Sequence, residues 1–151
     1  MALGYNSDLG NSNTLRYLVA PSAQISGIAF SILRETGPWT FIGEVVSATR
    51  PFGPDAGEAL AGQSPSAWML EVDYDFEFLD KGAQLALGYQ GSSEALALDL
   101  PKSRGLVTFN LGLYQGTTLQ LEWALNQDYD ESAGGTGKTG NNFADQITVR
   151  F

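Results

Sequence analysis

From Trp68 to Phe78 the chain alternates without a break: Trp68, Leu70, Val72, Tyr74, Phe76 and Phe78 interleave with Met69, Glu71, Asp73, Asp75 and Glu77. Successive side chains of a strand point to opposite sides, so this segment is a ribbon with one oily face and one carboxylate face. Such a ribbon must meet two different media. A barrel wall with lipid outside and water inside provides them, and its sequence signature is alternating segments of about 10 residues. Ile147, Val149 and Phe151 continue the pattern to the last residue.

The same period recurs along the chain. Ile28, Phe30 and Ile32; Trp39, Phe41 and Val45; Leu85, Leu87 and Tyr89; Val107, Phe109, Leu111 and Leu113; and Leu119, Leu121, Trp123 and Leu125 each define an apolar face. Opposite them stand Ala29, Ser31, Glu44, Gln84, Gly88, Thr108, Asn110, Gln120 and Glu122. We read strands at about 1–6, 23–34, 39–49, 67–78, 83–90, 105–114, 117–127 and 142–151, eight in all. Tight turns are expected at Arg34-Glu35-Thr36-Gly37-Pro38, Leu79-Asp80-Lys81-Gly82 and Tyr114-Gln115-Gly116-Thr117, each with a glycine for the positive-φ position. The remaining connections, about 7–22, 51–66, 91–104 and 128–141, are long and polar or rich in glycine and serine. Long and short alternate strictly. All tight turns therefore fall at one end of the sheet, as outer-membrane barrels arrange them.

These patterns predict an all-β chain: a single domain, 1–151, forming an antiparallel up-and-down transmembrane β-barrel of about eight strands. Trp39 and Phe78 at the turn end, and Trp68 and Tyr89 at the loop end, suit two interfacial aromatic belts. With Tyr74, Phe76 and Phe151, Trp39, Trp68 and Phe78 are the expected lipid anchors. Two alternatives keep the strands and change the role: a soluble up-and-down barrel with the apolar face turned inward around a small apolar ligand, and a filled eight-strand outer-membrane anchor.

Composition excludes much chemistry. The chain has no cysteine and no histidine, which removes disulfides, thiolate and imidazole catalysis and the usual zinc and copper sites. A net charge of −9 argues against nucleic acid. At 43% hydrophobic and 17% charged the chain has the apolar content of an ordered domain, yet no apolar run approaches the roughly 18 residues of a membrane helix. Met1 to Tyr5 carry no signal-peptide pattern. The expectation is a carboxy-terminal piece of a longer protein.

Several segments resemble the LbtU family of siderophore porins: Gly37-Pro38-Trp39-Thr40-Phe41-Ile42-Gly43-Glu44-Val45-Val46, and Pro65-Ser66-Ala67-Trp68-Met69-Leu70-Glu71-Val72-Asp73-Tyr74-Asp75-Phe76. Ala86-Leu87-Gly88-Tyr89-Gln90-Gly91 with Glu94-Ala95-Leu96, Leu100-Pro101-Lys102-Ser103-Arg104, and Asp128-Tyr129-Asp130 leading into Gly134-Gly135-Thr136-Gly137 extend the likeness over nearly the whole chain, in the order of the family's carboxy-terminal part. The resemblance implies an integral protein of a Gram-negative outer membrane, part of a larger barrel, that passes an iron–siderophore complex. It also implies lipid and lipopolysaccharide as surroundings and assembly by the barrel assembly machinery through the strand ending in Phe151. It supplies no substrate-contacting residues.

The candidate functional residues come from the polar face. Glu44, Glu71, Asp73, Asp75, Glu77 and Glu122 would line the lumen, answered by Arg150 and by Arg16 near the mouth. One sign of charge on a low-dielectric wall concentrates counter-ions, here cations. Ferric complexes of carboxylate-type siderophores are often anionic, so this wall and the resemblance pull in opposite directions. Glu71 with Asp73, and Glu44 with Glu122, also have the form of catalytic carboxylate pairs. A ladder of exposed acids lacks the environmental asymmetry that would separate their pKa values, so no enzyme and no cofactor is expected. Gly134-Gly135-Thr136-Gly137-Lys138-Thr139 mimics the end of a phosphate loop, but Ser132 stands where the pattern needs glycine, and a flexible surface loop is expected. Asp128, Asp130 and Glu131 could offer oxygens to a divalent cation, although their spacing stops short of a calcium loop.

Overall fold

The computed structural model describes residues 1–6 and 25–150. Eight strands form one antiparallel sheet in strict chain order: β1 (Ala2–Asn6), β2 (Gly27–Thr36), β3 (Trp39–Ala48), β4 (Ser66–Phe78), β5 (Lys81–Ser93), β6 (Ser103–Tyr114), β7 (Thr117–Gln127) and β8 (Thr139–Val149). Every neighbour pair is antiparallel, as an up-and-down meander requires. Among the described residues the sheet is open, with β1 and β8 as its edges. Among the described residues there is no α-helix, and no helix long and apolar enough to cross a membrane.

Register carries the alternation of one strand into the next. Phe30 pairs with Val45, Val45 with Trp68, and Trp68 with Gly91. Further along, Phe41 pairs with Val72, Val72 with Leu87, Leu87 with Val107, Val107 with Trp123, and Trp123 with Phe143. Each pair faces the same side, so one apolar surface spans the sheet. It is broken by Arg34 on β2 and by Asn141 and Asp145 on β8, which occupy the same face. The regular pattern read from Ile147 and Val149 therefore does not extend through the whole of β8.

The tight turns fall between β2 and β3, β4 and β5, and β6 and β7. Gly37 and Gly116 hold positive φ as expected. In the middle turn the expectation fails. Leu79 (φ 53°) and Asp80 (φ 57°) take the left-handed positions themselves, while Gly82 lies inside β5. Pairing of Phe78 with Lys81 leaves only two residues for the turn, and a two-residue hairpin of this hand places both at positive φ.

The most buried cluster lies in the loops rather than on the sheet. Phe52, Ala56 and Leu60 of the 49–65 connection pack with Ile25 and Ala48, and Ala97 and Leu98 of the next loop close over them. Phe52 is 2% exposed. Its backbone N–H donates to Gln63 O at 2.8 Å and its carbonyl accepts from Gly62 at 2.7 Å. These connections are folded caps at the loop end of the sheet, more apolar than their glycine and serine content suggests.

Candidate functional site: the polar wall and its mouth

The polar face is built on β4. Glu71, Asp73, Asp75 and Glu77 project to one side at spacings of about 7 Å, set by strand geometry. The facing positions on β5 are small where the acids need room: Glu71 lies opposite Gly88, Asp73 opposite Ala86, and Glu77 opposite Gly82. Asp75 accepts a hydrogen bond from Gln84 Nε2 at 2.9 Å, and Gln84 Oε1 accepts from Asn110 Nδ2 at 3.2 Å. A polar ladder thus crosses β4, β5 and β6. Asp73 is only 8% exposed, and its Oδ1 has no hydrogen-bond partner within the described residues. Thr108 and Ala124 are also buried on this face. The polar side is therefore the more crowded one at the centre of the sheet.

Glu44 on β3 pairs with Met69, one step from Glu71 on the same face. Glu122 on β7 pairs with Thr108 and meets Arg104, Nη2 to Oε1 at 3.8 Å. Three strands separate Glu44 from Glu122, so the sheet does not join them as a carboxylate pair. Arg150 sits past the end of β8, its N–H bonded to Gly116 O at 2.8 Å, with β5, β6 and β7 between it and the acids of β4. The cation nearest the described acidic wall is Arg104. Alternation alone starts β6 at 105 and leaves Arg104 in the preceding loop, whereas the ladder starts at Ser103 and places Arg104 on the polar face opposite Asn126. Arg16 lies outside the described residues.

On the other face, Trp39, Trp68, Tyr74, Phe76 and Phe78 all share the apolar surface; Phe151 lies outside the described residues. Their rings form two groups. Toward the turns, Trp39 contacts Tyr74 at 4.5 Å between centroids, Tyr74 stacks on Phe76, and Phe76 and Phe78 both meet Phe109. Toward the loops, Trp68 lies against Tyr89 at 5.6 Å and covers Gly91. A soluble protein hides such a surface, but Leu70 is 60% exposed and Leu87 48%. No second sheet or helix among the described residues covers this face.

At the loop end of the sheet, the 128–138 connection is organised around Asp128 and Tyr129. Asp128 accepts hydrogen bonds from Thr136 Oγ1, Thr136 N and Tyr129 N, and these, the Thr136 hydroxyl foremost, hold its carboxyl below the usual range. The Tyr129 hydroxyl and Ser92 Oγ share a hydrogen bond at 2.6 Å, and Gly137 N–H donates to Tyr129 O at 2.8 Å. A Cβ on Gly135 would run into the Tyr129 carbonyl. This is a tied loop in place of the flexible one expected. A strand follows it rather than a helix, so it lacks the helix terminus of a phosphate loop. Asp128, Asp130 and Glu131 do not converge: Asp128 is engaged within the loop and Asp130 pairs with Lys102 at 2.7 Å. Among the described residues no group of three or more acidic side chains is placed to share a metal ion.

No family model matches the chain. No solved structure matches it either. It is 30% identical over 128 residues to a UPF0422 protein of Coxiella burnetii (strain RSA 493 / Nine Mile phase I), an alignment covering 84% of this chain and 26% of that protein. UPF0422 proteins of Legionella pneumophila strains Paris and Lens are 31% identical over 124 residues, covering 72% of this chain and 23% of theirs. The chain thus spans about a quarter of the length of the curated relatives it matches. Their designation states no activity.

Proposed function

We propose that this sheet is part of the wall of an outer-membrane β-barrel whose polar face lines a route for a small solute. The observation that carries the reading is the apolar surface, continuous from β3 to β7 and uncovered among the described residues, backed by a carboxylate face. Soluble monomers rarely leave a contiguous apolar patch beyond a few hundred Å². Lipid is the medium in which such a face costs nothing, and the two aromatic groups sit where interfacial belts would lie. The competing soluble barrel needs the apolar face turned inward, and the exposures of Leu70 and Leu87 run against it.

By the LbtU resemblance, the solute is an iron–siderophore complex. The acids Glu44, Glu71, Asp73 and Asp75 would favour cations along the wall, while Arg104 supplies a basic point at the mouth. The test is planar-bilayer conductance of the detergent-folded chain, with cation-to-anion permeability taken from the reversal potential in a salt gradient. Discrete cation-preferring openings are expected, with the preference reduced in Glu71→Gln/Asp73→Asn. A chain that folds as a monomer in detergent-free buffer would defeat the reading.

A further inference from the structure

A cleft of about 610 Å³ opens at the loop end of the polar face, between the 94–102 and 128–138 loops. Its floor is Arg104 and Asn126, and Lys138 and Thr136 stand on one wall. Arg104 is the unusual group. Its Nε is buried and finds no hydrogen-bond acceptor within the described residues. At 3.8 Å its guanidinium is beyond hydrogen-bonding distance of Glu122, although arginine carries five donors in a planar fork that fits a carboxylate or phosphate edge. A buried donor without an acceptor is a feature that folded proteins rarely keep without a reason.

The walls around it are braced. Lys102 and Asp130 tie one loop to the other, and Ser92 Oγ bonds both Tyr129 and the Pro101 carbonyl, at 2.6 and 2.7 Å. The lining also contains two carboxylates. Asp128 keeps its charge but turns its oxygens to Thr136 and Tyr129, so it opposes an anion together with Asp99 at the rim and Glu122 beside Arg104. We infer that this cleft binds a small dissolved oxyanion, a carboxylate- or phosphate-bearing solute, through the Arg104 guanidinium with Lys138 as the second cation. The inference deepens the route reading and rests on it for its purpose, since it assigns a solute class to the mouth of the polar wall. It also places a basic selecting point ahead of an otherwise acidic face. The anion is that of a solute rather than of a lipid headgroup, because Arg104 lies on the face opposite the apolar surface.

The test is isothermal titration calorimetry of the full chain, folded in zwitterionic detergent at low ionic strength, with citrate and with inorganic phosphate. Saturable binding of at least one is expected. Arg104→Gln should weaken it about tenfold or more, the loss of a charge-assisted hydrogen bond. Lys138→Gln should weaken it severalfold and Asp99→Asn should tighten it. The last two sites are exposed, so they keep the test decisive where Arg104→Gln fails to fold. No saturable heat with either anion overturns the inference, as does equal binding by folded Arg104→Gln. So does affinity only for vesicles of anionic lipid. Binding without channels in the bilayer would keep the site and remove the route; channels without binding would do the reverse.

Discussion

Arginine at Leu87 separates lipid from water as the medium of the apolar face. Leu87 is the middle residue of β5, pairs with Val72 and Val107, and is 48% exposed. The ten residue steps from Trp68 to Phe78 on the adjacent β4 span about 33 Å at roughly 3.3 Å each. With a strand tilt of about 40° this projects to about 25 Å, the height of a barrel's apolar band. On the lipid reading Leu87 lies near mid-bilayer, where arginine costs ~2–4 kcal/mol, equivalent to a shift of about thirty- to a thousandfold in the folding equilibrium. In water the same substitution at an exposed site should stay within about 0.5 kcal/mol.

The assay is urea-dependent folding into phosphatidylcholine vesicles, followed by tryptophan fluorescence, for the native chain, Leu87→Arg and Tyr89→Arg. Leu87→Arg should lose ~2–4 kcal/mol, and Tyr89→Arg, two residues nearer the loops, should lose less because the cost falls toward the interface. Equal stability of Leu87→Arg and the native chain in vesicles would refute the lipid assignment. An apolar-interior soluble barrel would also be damaged by the change, but its native form would fold without vesicles.

Trp39, Trp68 and Trp123, the three tryptophans of the chain, all lie on the apolar face. Brominated lipid should quench most of the fluorescence and aqueous iodide little; the opposite pattern would contradict lipid contact. In Gly91→Ala the new Cβ would stand 2.7 Å from the Trp68 ring, so the ring must move and the sheet should lose about 1–3 kcal/mol, measured by the same urea titration. Asp128 is held below the ordinary carboxylate range, so its contribution to anchoring the 128–138 loop is complete above about pH 4, the unfolded value, and is lost as pH falls through the lower folded value. Protection of the Tyr129 and Thr136 amides, taken as exchange relative to the unstructured rate at the same pH, should therefore stay high at neutral pH and fall only in stronger acid, whereas Asp128→Asn should have lower protection already at pH 7.

The strands were legible because the dominant signal is local. Period-two alternation in β4 and the spacing of turns fixed the number, order and faces of the strands without knowledge of partners. What was missed depends on pairing across the sheet. Arg104 joins the polar wall only because β6 extends to Ser103 against Gly91 of β5, and no local pattern marks that extension. Leu79 and Asp80 take left-handed backbone because the register leaves two residues for the turn, a demand that outweighs the preference for glycine. Phe52, Ala56 and Leu60 recur every four residues, a spacing that a search for alternation passes over, and their packing against Ile25 and Ala97 is long-range. Asp145 shows the reverse: the face of a charge is plain from register, but the medium that tolerates it is not a property of the strand.

The edges sharpen what the apolar face demands. Each edge strand of an open sheet presents a row of backbone groups with no neighbour, a row that water can satisfy and hydrocarbon cannot. A face in lipid and an open edge in lipid are therefore incompatible within one structure. On the lipid reading the wall must be completed, either by β1 meeting β8 or by further strands adding to each. Eight antiparallel strands permit the first, because β1 and β8 run in opposite directions. Relatives more than three times as long offer the second. On the same reading Asp145 and Asn141 on β8, like Arg34 on β2, interrupt the apolar face away from its centre at β4 and β5, which favours added protein beside the edges. A charge costs least on a lipid-facing wall where other protein shelters it, and the same shelter would supply the hydrogen-bond partners that the β8 edge lacks among the described residues.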